Sequence, residues 1–278
     1  MAVTVSERDV HSMNLTALLN LPGFFGRQAL RLPDYLFSLT LFMLRALQDW
    51  RVGRRTFNHA SHRTLIGQII FSGVDALPIT TLLALATGLA LTTQTILTIQ
   101  VIGERADVID ILIRLVVLEL STLLTAFILI GRSGSAICVD LGNMKLHREL
   151  EGLQMLGINL NHFLVTPRLI GMALSQMVLA VYFAALAIIG GVLFLGTTHH
   201  SGYMSYLADV AAAFAPYDLL IFMGKNLFFG LLIGGISCFH GLRVSQSITE
   251  VPQQTQRAIV NSMSIVFILN TLFTILVH

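Results

Sequence analysis

Few side chains in this sequence could do chemistry, and most of those that could are set in apolar surroundings. Glu119 falls within a long uncharged run, with Arg114 five residues before it and Arg132 thirteen after it. A charged side chain at the bilayer centre costs about 2.5–3.5 kcal/mol on insertion scales, so Glu119 must face protein or a water-filled cavity. Two readings are open: a polar latch or gate that works in a transport cycle, or a polar pair that fixes helix packing. A proton relay would need several aligned ionisable groups, and the sequence does not display them. Lys225 stands near the start of another apolar run. Its ammonium suits contact with a lipid phosphate or snorkelling to the interface. Asp140 and Arg132 flank the end of the run that holds Glu119, and a salt bridge between them would position the segment that follows. No catalytic arrangement emerges. There is no G-x-x-x-x-G-K-[ST], so the chain cannot cradle ATP phosphates in the P-loop manner. There is no G-x-S-x-G and no H-E-x-x-H. Cys138 and Cys238 lie far apart without metal-type spacing, and His199 and His200 lack further ligands. No cofactor or metal is expected in this chain.

The elements that must carry these residues are membrane-spanning helices. Apolar residues make up 55% of the 278 and charged residues 12%, too little charge to cover a soluble surface of this size. Mean hydropathy is +0.78. Five apolar stretches reach the ~20 residues that a span requires: Val74–Val101, Val108–Ile130, Val165–Gly196, Leu219–Cys238 and Ala258–Val277. The first sixty residues show no basic start, short apolar run and cleavage site, so no signal peptide is expected. Basic residues crowd the segment before the first span, with Arg8, Arg27, Arg31, Arg45, Arg51, Arg54, Arg55 and Arg63. The connection between the second and third spans carries Arg132, Lys145, Arg148 and Arg168. The connection between the fourth and fifth carries Arg243 and Arg257. The Thr197–Asp218 connection has no Lys or Arg, and the first connection has only Arg105 beside Glu104 and Asp107. Basic segments stay cytoplasmic. The alternation predicts a cytoplasmic N-terminus, a periplasmic C-terminus and an odd number of spans. Asp34–Trp50 is apolar but short, with Pro33 at its start and arginines after it. It reads as a helix at the cytoplasmic interface. A sixth span there would break the alternation. Residues 1–25 read as a loosely ordered tail.

One segment carries more information than the rest. Gly131–Arg168 opens with Gly131, Ser133, Gly134, Ser135 and Ala136, small residues that permit close helix packing. It continues with Met144, Leu146, Leu150, Leu153 and Leu156 at helical spacing among Lys145, His147, Arg148, Glu149 and Glu151. A polar-faced helix held between two spans on the cytoplasmic side suits docking of a soluble partner. A solvated loop without a partner has the same pattern.

This segment resembles the signature of the MlaE/YrbE permease family, the membrane subunits of ABC-type lipid transporters linked to MCE proteins. The matching residues are Gly131, Arg132, Gly134, Ser135 and Ala136, then Asp140, Gly142 and Met144, then Glu149, Leu150, Glu151, Leu153, Gly157 and Ile158, then Pro167 and Arg168. The similarity runs over residues 64–278, leaving residues 1–63 as a tail and interfacial helix. Gln94, Glu119, Gly190–Gly191, Lys225 and Gly241 also fall at positions the family favours. The departures mark a divergent member. Leu118 replaces an Arg, Ser121–Thr122 replace Gly-Pro, Asp140 replaces Glu, Leu160 replaces Pro, and Asn270 stands where Asp is common. Glu250–Gln256, with Pro252 and no Gly, replaces a Gly-rich element expected before the fifth span.

The resemblance implies an all-α integral membrane protein of the bacterial inner membrane that works as a non-catalytic permease. A second permease copy, a cytoplasmic ABC ATPase that binds the ATP, and a periplasmic MCE-domain protein are the implied partners. A STAS-domain accessory protein is compatible with them, and no nucleic acid is involved. The implied cargo is phospholipid or a related lipid, exchanged between inner membrane and MCE protein so as to maintain outer-membrane asymmetry. Coupling to the ATPase falls to Asp140, Met144, Arg148, Glu149, Leu150, Glu151 and Leu153. A lipid pocket at the dimer interface falls to Leu91, Gln94 and Leu97, and a polar latch to Glu119, Arg132 and Lys225. Two other classes remain open: an ATPase-independent carrier or channel, which would favour internal repeats, and a non-transporting membrane anchor.

Overall fold

A computed structural model describes residues 35–46, 48, 59–102, 115–198, 216–245 and 247–277. Every regular element among them is helical. The chain divides into two compact units, Met1–Arg45 and Ala46–His278. The apolar helix α1 covers Tyr35–Ala46. At 1.5 Å per residue it is about 18 Å long, too short to cross a bilayer. The tail, Asp34 and the arginines at 51, 54 and 55 lie outside the described residues.

The second unit holds α2 (His59–Ser72), α3 (Leu77–Ile102), α4 (Ser121–Leu129), α5 (Ser135–Leu146), α6 (Glu149–Met155), α7 (Thr166–Thr198), α8 (Pro216–Gly241) and α9 (Glu250–Val277). Five stretches among the described residues are long and apolar enough to span a membrane: Arg63–Gln94, Leu118–Leu146, Asn161–Gly191, Tyr217–Gly241 and Glu250–Leu276. The all-helical membrane architecture expected from hydropathy is thus the one observed.

The boundaries differ from hydropathy in an instructive way. The first span starts at Arg63, not Val74, and a short 3-10 turn at Val74–Ala76 interrupts it. The second was expected to end at Ile130, with the small residues beginning a connecting segment. Instead the helix continues through a π turn at Ile130–Gly134 into α5 and ends at Leu146. The fifth begins at Glu250, so the Glu250–Gln256 stretch forms its first turns. A hydropathy window stops at charge or small residues. A helix does not need to stop there when packing covers the small residues and partners meet the charges. The start of the second span, Val108–Arg114, lies outside the described residues.

The third span, centred on α7, is the hub, packed against α2, α3, α4 and α8. Small residues set those approaches, as expected where apolar solvent gives no drive to associate. A Cβ added at Gly88 of α3 would stand 2.0 Å from the carbonyl oxygen of Ala187 on α7. One added at Gly230 of α8 would stand 2.6 Å from the carbonyl oxygen of Met172. Backbone therefore meets backbone at both places. On the other side, α9 packs on α5 and α8.

At one end of the bundle the chain turns sharply into α6. Arg148 precedes that helix in the left-handed region at φ 58°, and Gly157 follows it at φ 75°. Glycine is at home there, and an arginine is not. At the same end the Glu250 carboxylate accepts bonds from Ser245 N at 2.7 Å and Ser245 Oγ at 3.0 Å, tying down the entry to α9.

Candidate functional site

Glu119 lies in a π turn, Leu115–Leu120, that leads into α4. Such turns commonly occur at functional positions. Lys225 of α8 places Nζ 2.9 Å from both carboxylate oxygens. Asn270 of α9 donates from Nδ2 to Oε2 at 2.7 Å. The lysine side chain is only 6% exposed and the glutamate 17%. Three spans thus converge on one carboxylate, and its charge is met by a cation and an amide. This is how an ionisable pair survives at membrane depth. Lys225 is turned into the bundle and engaged by Glu119, so neither of the two placements considered for it alone, at a lipid phosphate or snorkelling to the interface, is the one observed, whereas its grouping with Glu119 is.

A neutral network lies one turn away. Gln176 of α7 donates from Nε2 to Thr125 Oγ1 at 3.1 Å and to Asn226 Oδ1 at 3.1 Å. Asn226 donates from Nδ2 to Thr122 Oγ1 at 3.1 Å. Both amides are fully buried. Glu119 and Thr122 are three residues apart, and Lys225 and Asn226 are neighbours, so the two clusters stack. Together they bring the second, third, fourth and fifth spans to one polar seam.

Arg132 is not part of this seam. From the π turn at Ile130–Gly134 its Nη1 donates to the carbonyl of Phe71 at 2.6 Å, in the last turn of α2 where carbonyls run out of helical partners. The guanidinium also lies 5.0 Å above the Phe71 ring and 3.4 Å from Asp75. Its place is the break in the first span. Two expectations change. Arg132 does not join Glu119 and Lys225, and Asp140 pairs with another residue. Asp140 receives Arg168 Nη2 at 2.5 Å instead. The reason is periodicity. Arg132 and Asp140 are eight residues apart on one helix, about 12 Å along its axis, while α7 passes beside Asp140.

At the α6 end, Leu150 is buried, whereas Met155 and Leu156 are 87% and 77% exposed. Met144 and Leu153 are half-buried, and Arg148, Glu149 and Glu151 are exposed. A cleft of about 530 Å³ opens behind α6, with Lys145, Glu151, Gln154 and Leu242 among its walls. Lys145 donates to the carbonyl of Leu242, linking α5 to the end of α8. Leu150 was expected to face a partner, but it is packed inside. Its role is to anchor α6.

The family model described as "Permease MlaE" matches residues 65–276. The chain belongs to the MlaE permease family. Among its relatives is a "Probable ABC transporter permease protein" of Rickettsia bellii strain RML369-C, 24% identical over 92% of this chain and 97% of the relative. The "Intermembrane phospholipid transport system permease protein MlaE" of Haemophilus influenzae is 26% identical over 76% of this chain and 81% of its own. "Protein TRIGALACTOSYLDIACYLGLYCEROL 1, chloroplastic" of Arabidopsis thaliana is 26% identical over 74% of this chain and 59% of its own.

In this MlaE-family permease the pocket residues suggested by resemblance lie along α3. Leu91 is half-buried, while Gln94 and Leu97 are exposed on the described surface. Sequence reasoning missed Asn270 as a partner of Glu119 and did not single out Gln176 or Asn226. The signal was available. Each is an amide inside an otherwise apolar span, a position that is costly unless a partner is found. No group of three or more His, Cys, Asp or Glu residues that could hold a metal occurs among the described residues.

Proposed function

We propose that this chain is the membrane subunit of an ABC-type transporter that moves phospholipid or a related lipid between the bacterial inner membrane and a periplasmic MCE-domain protein, helping maintain outer-membrane asymmetry. Two copies form the permease and hold the lipid between them, against Leu91, Gln94 and Leu97. A cytoplasmic ATPase docks on the Gly142–Gly157 stretch. The distribution of basic segments supports a cytoplasmic N-terminus and α6 end and a periplasmic C-terminus. The names of the Rickettsia and Haemophilus relatives support this reading.

The single observation that carries it is the build of α6. One apolar residue, Leu150, is buried in this short helix and fixes it to the bundle, while Met155 and Leu156 at its end face outward. Apolar side chains at that end have no acyl chains to meet, and a protein partner would cover them. A helix rooted in the bundle and gripped from outside is a lever. Rocking it with ATP binding and hydrolysis would shift α5, and with it the second span that carries Glu119.

The test is co-purification from mild detergent with mass spectrometry of bound protein and lipid. A P-loop ATPase, an MCE-domain protein and phospholipid are expected. Replacing Met155 and Leu156 with Asp should release the ATPase and leave the permease folded. If the ATPase stays at full stoichiometry, the docking assignment is wrong.

A further inference from the structure

We propose that Arg132 is the latch of a joint in the first span, holding α2 at a fixed turn against α3 and releasing it when the π turn of the second span relaxes. The joint lies within this chain's own fold, so the inference stands whether or not an ATPase docks at α6.

Two departures from α-helical winding meet at this point. In the first span the Ala76 N–H bonds the Gly73 carbonyl at 3.2 Å, and the Leu77 N–H bonds the Val74 carbonyl. A continuous α-helix would send these donors one residue further back, to Ser72 and Gly73. The coil here is wound tightly. In the second span, Ile130–Gly134 is wound loosely, as a π turn. Arg132 stands in the loose turn and forks onto the tight one. Its Nη1 donates to the Phe71 carbonyl at 2.6 Å, and its Nη2 lies 3.4 Å from the Asp75 carboxylate. Phe71 precedes Gly73 and Asp75 lies within the 3-10 turn, so one guanidinium grips both sides of the joint.

A second observation points the same way. Each turn has a buried hydroxyl with no hydrogen-bond partner among the described residues: Ser133 in the π turn, and Ser175 of α7 beside the tight one. A Cβ added at Gly73 would stand 3.3 Å from Ser175 Oγ. Buried hydroxyls are nearly always paired. Two orphans at two facing turns fit an element with a second arrangement in which they find partners.

Packing decides which half moves. A Cβ added at Gly88 or Gly190 would strike the backbone of the opposite helix, at Ala187 and Leu85, so α3 meets α7 backbone to backbone. At Gly171 of α7 it would strike the Gln68 side chain, so α2 meets α7 through a group that can change rotamer. The mobile half is α2. Rewinding three residues from 3-10 to α-helical geometry turns α2 by about 60° against α3 and shortens the span by about 1.5 Å. Through Arg132, movement of the span that carries Glu119 would be geared to α2.

The test is distance measurement between spin labels on the full-length permease in nanodiscs. The native cysteines are buried, which keeps background labelling low. Labels go on Ile66→Cys and Gly67→Cys, about 100° apart around α2, and on Leu82→Cys of α3, each paired with Val178→Cys of α7. All four positions are exposed. Arg132→Met should move at least one α2–α7 distance by up to about 5 Å, the shift of a side chain on a helix surface turned by 60°. The Leu82–Val178 distance should stay as in wild type. Arg132→Lys, whose single ammonium replaces the fork, should populate both α2 positions. Unchanged distances from both α2 labels in Arg132→Met overturn the proposal. Equal broadening of the α2 and α3 distances also overturns it, because that is what losing a merely structural contact would give. If Arg132→Met does not fold, the double variant Phe71→Leu, Asp75→Asn weakens the same grip from the other side and is read in the same way.

Discussion

Lys225 Nζ sits 2.9 Å from both carboxylate oxygens of Glu119, a symmetric contact between α8 and the entry to α4. Removing one partner leaves the other charged and buried, a loss of about 3–5 kcal/mol for such pairs. Glu119→Gln and Lys225→Met should each lower the thermal midpoint in detergent. The double variant should recover much of the loss, because neither charge is then stranded. Losses that simply add in the double-mutant cycle would show that the pair is not coupled.

Asn270 donates to Glu119 Oε2 at 2.7 Å, which an ionised carboxylate cannot do. Asn270→Asp should therefore place two carboxylates against one ammonium. The expected result is lower stability than Asn270→Ser, which keeps a donor and adds no charge. The two thermal midpoints decide it.

Arg168 is almost wholly buried, and Asp140 is 61% exposed, so the pair is unequal. Asp140→Asn leaves the guanidinium inside without its anion. The variant should lose stability, and Asp140→Glu should restore most of it. If Asp140 also positions α6, Asp140→Asn will reduce the stimulation of the bound ATPase by lipid more than it reduces ATPase binding.

Gly88 meets the Ala187 backbone so closely that an added methyl group would lie 2.0 Å from a carbonyl oxygen. Gly88→Ala should force α3 and α7 apart and cost several kcal/mol, beyond the 1–3 kcal/mol typical of overpacking. Gly152, with open space around it, is the control, and Gly152→Ala should be tolerated. Expression level and thermal midpoint check both.

Leu97 is exposed on α3, where the proposed lipid pocket lies. Leu97→Asp should reduce the phospholipid that co-purifies and slow lipid transfer while ATPase binding is retained. Unchanged lipid content would move the pocket elsewhere.

Much of this was legible in one dimension. Five apolar runs and their basic flanks are local properties. A span must be apolar whatever it packs against, so the five spans found among the described residues follow from hydropathy, while the breaks within them do not. The charged residues that matter were also visible, because Glu119 and Lys225 are conspicuous inside apolar runs. Their pairing was not. Glu119 and Lys225 are far apart in the chain, and Arg114 and Arg132 were nearer candidates by sequence distance. Only the register of α8 against the second span chose Lys225, and only the arrival of α9 added Asn270. Arg132 and Asp140 show the same limit. Sequence placed them at the end of one span and suggested a pair, whereas eight residues of helix keep them apart and hand each to another span, Asp75 and Arg168. The Gly131–Ala136 motif announced close packing but could not say that the helix runs on through it. Composition sets which groups need a partner. Tertiary packing decides which partner is within reach, because hydrogen bonds and ion pairs are settled over about 3 Å.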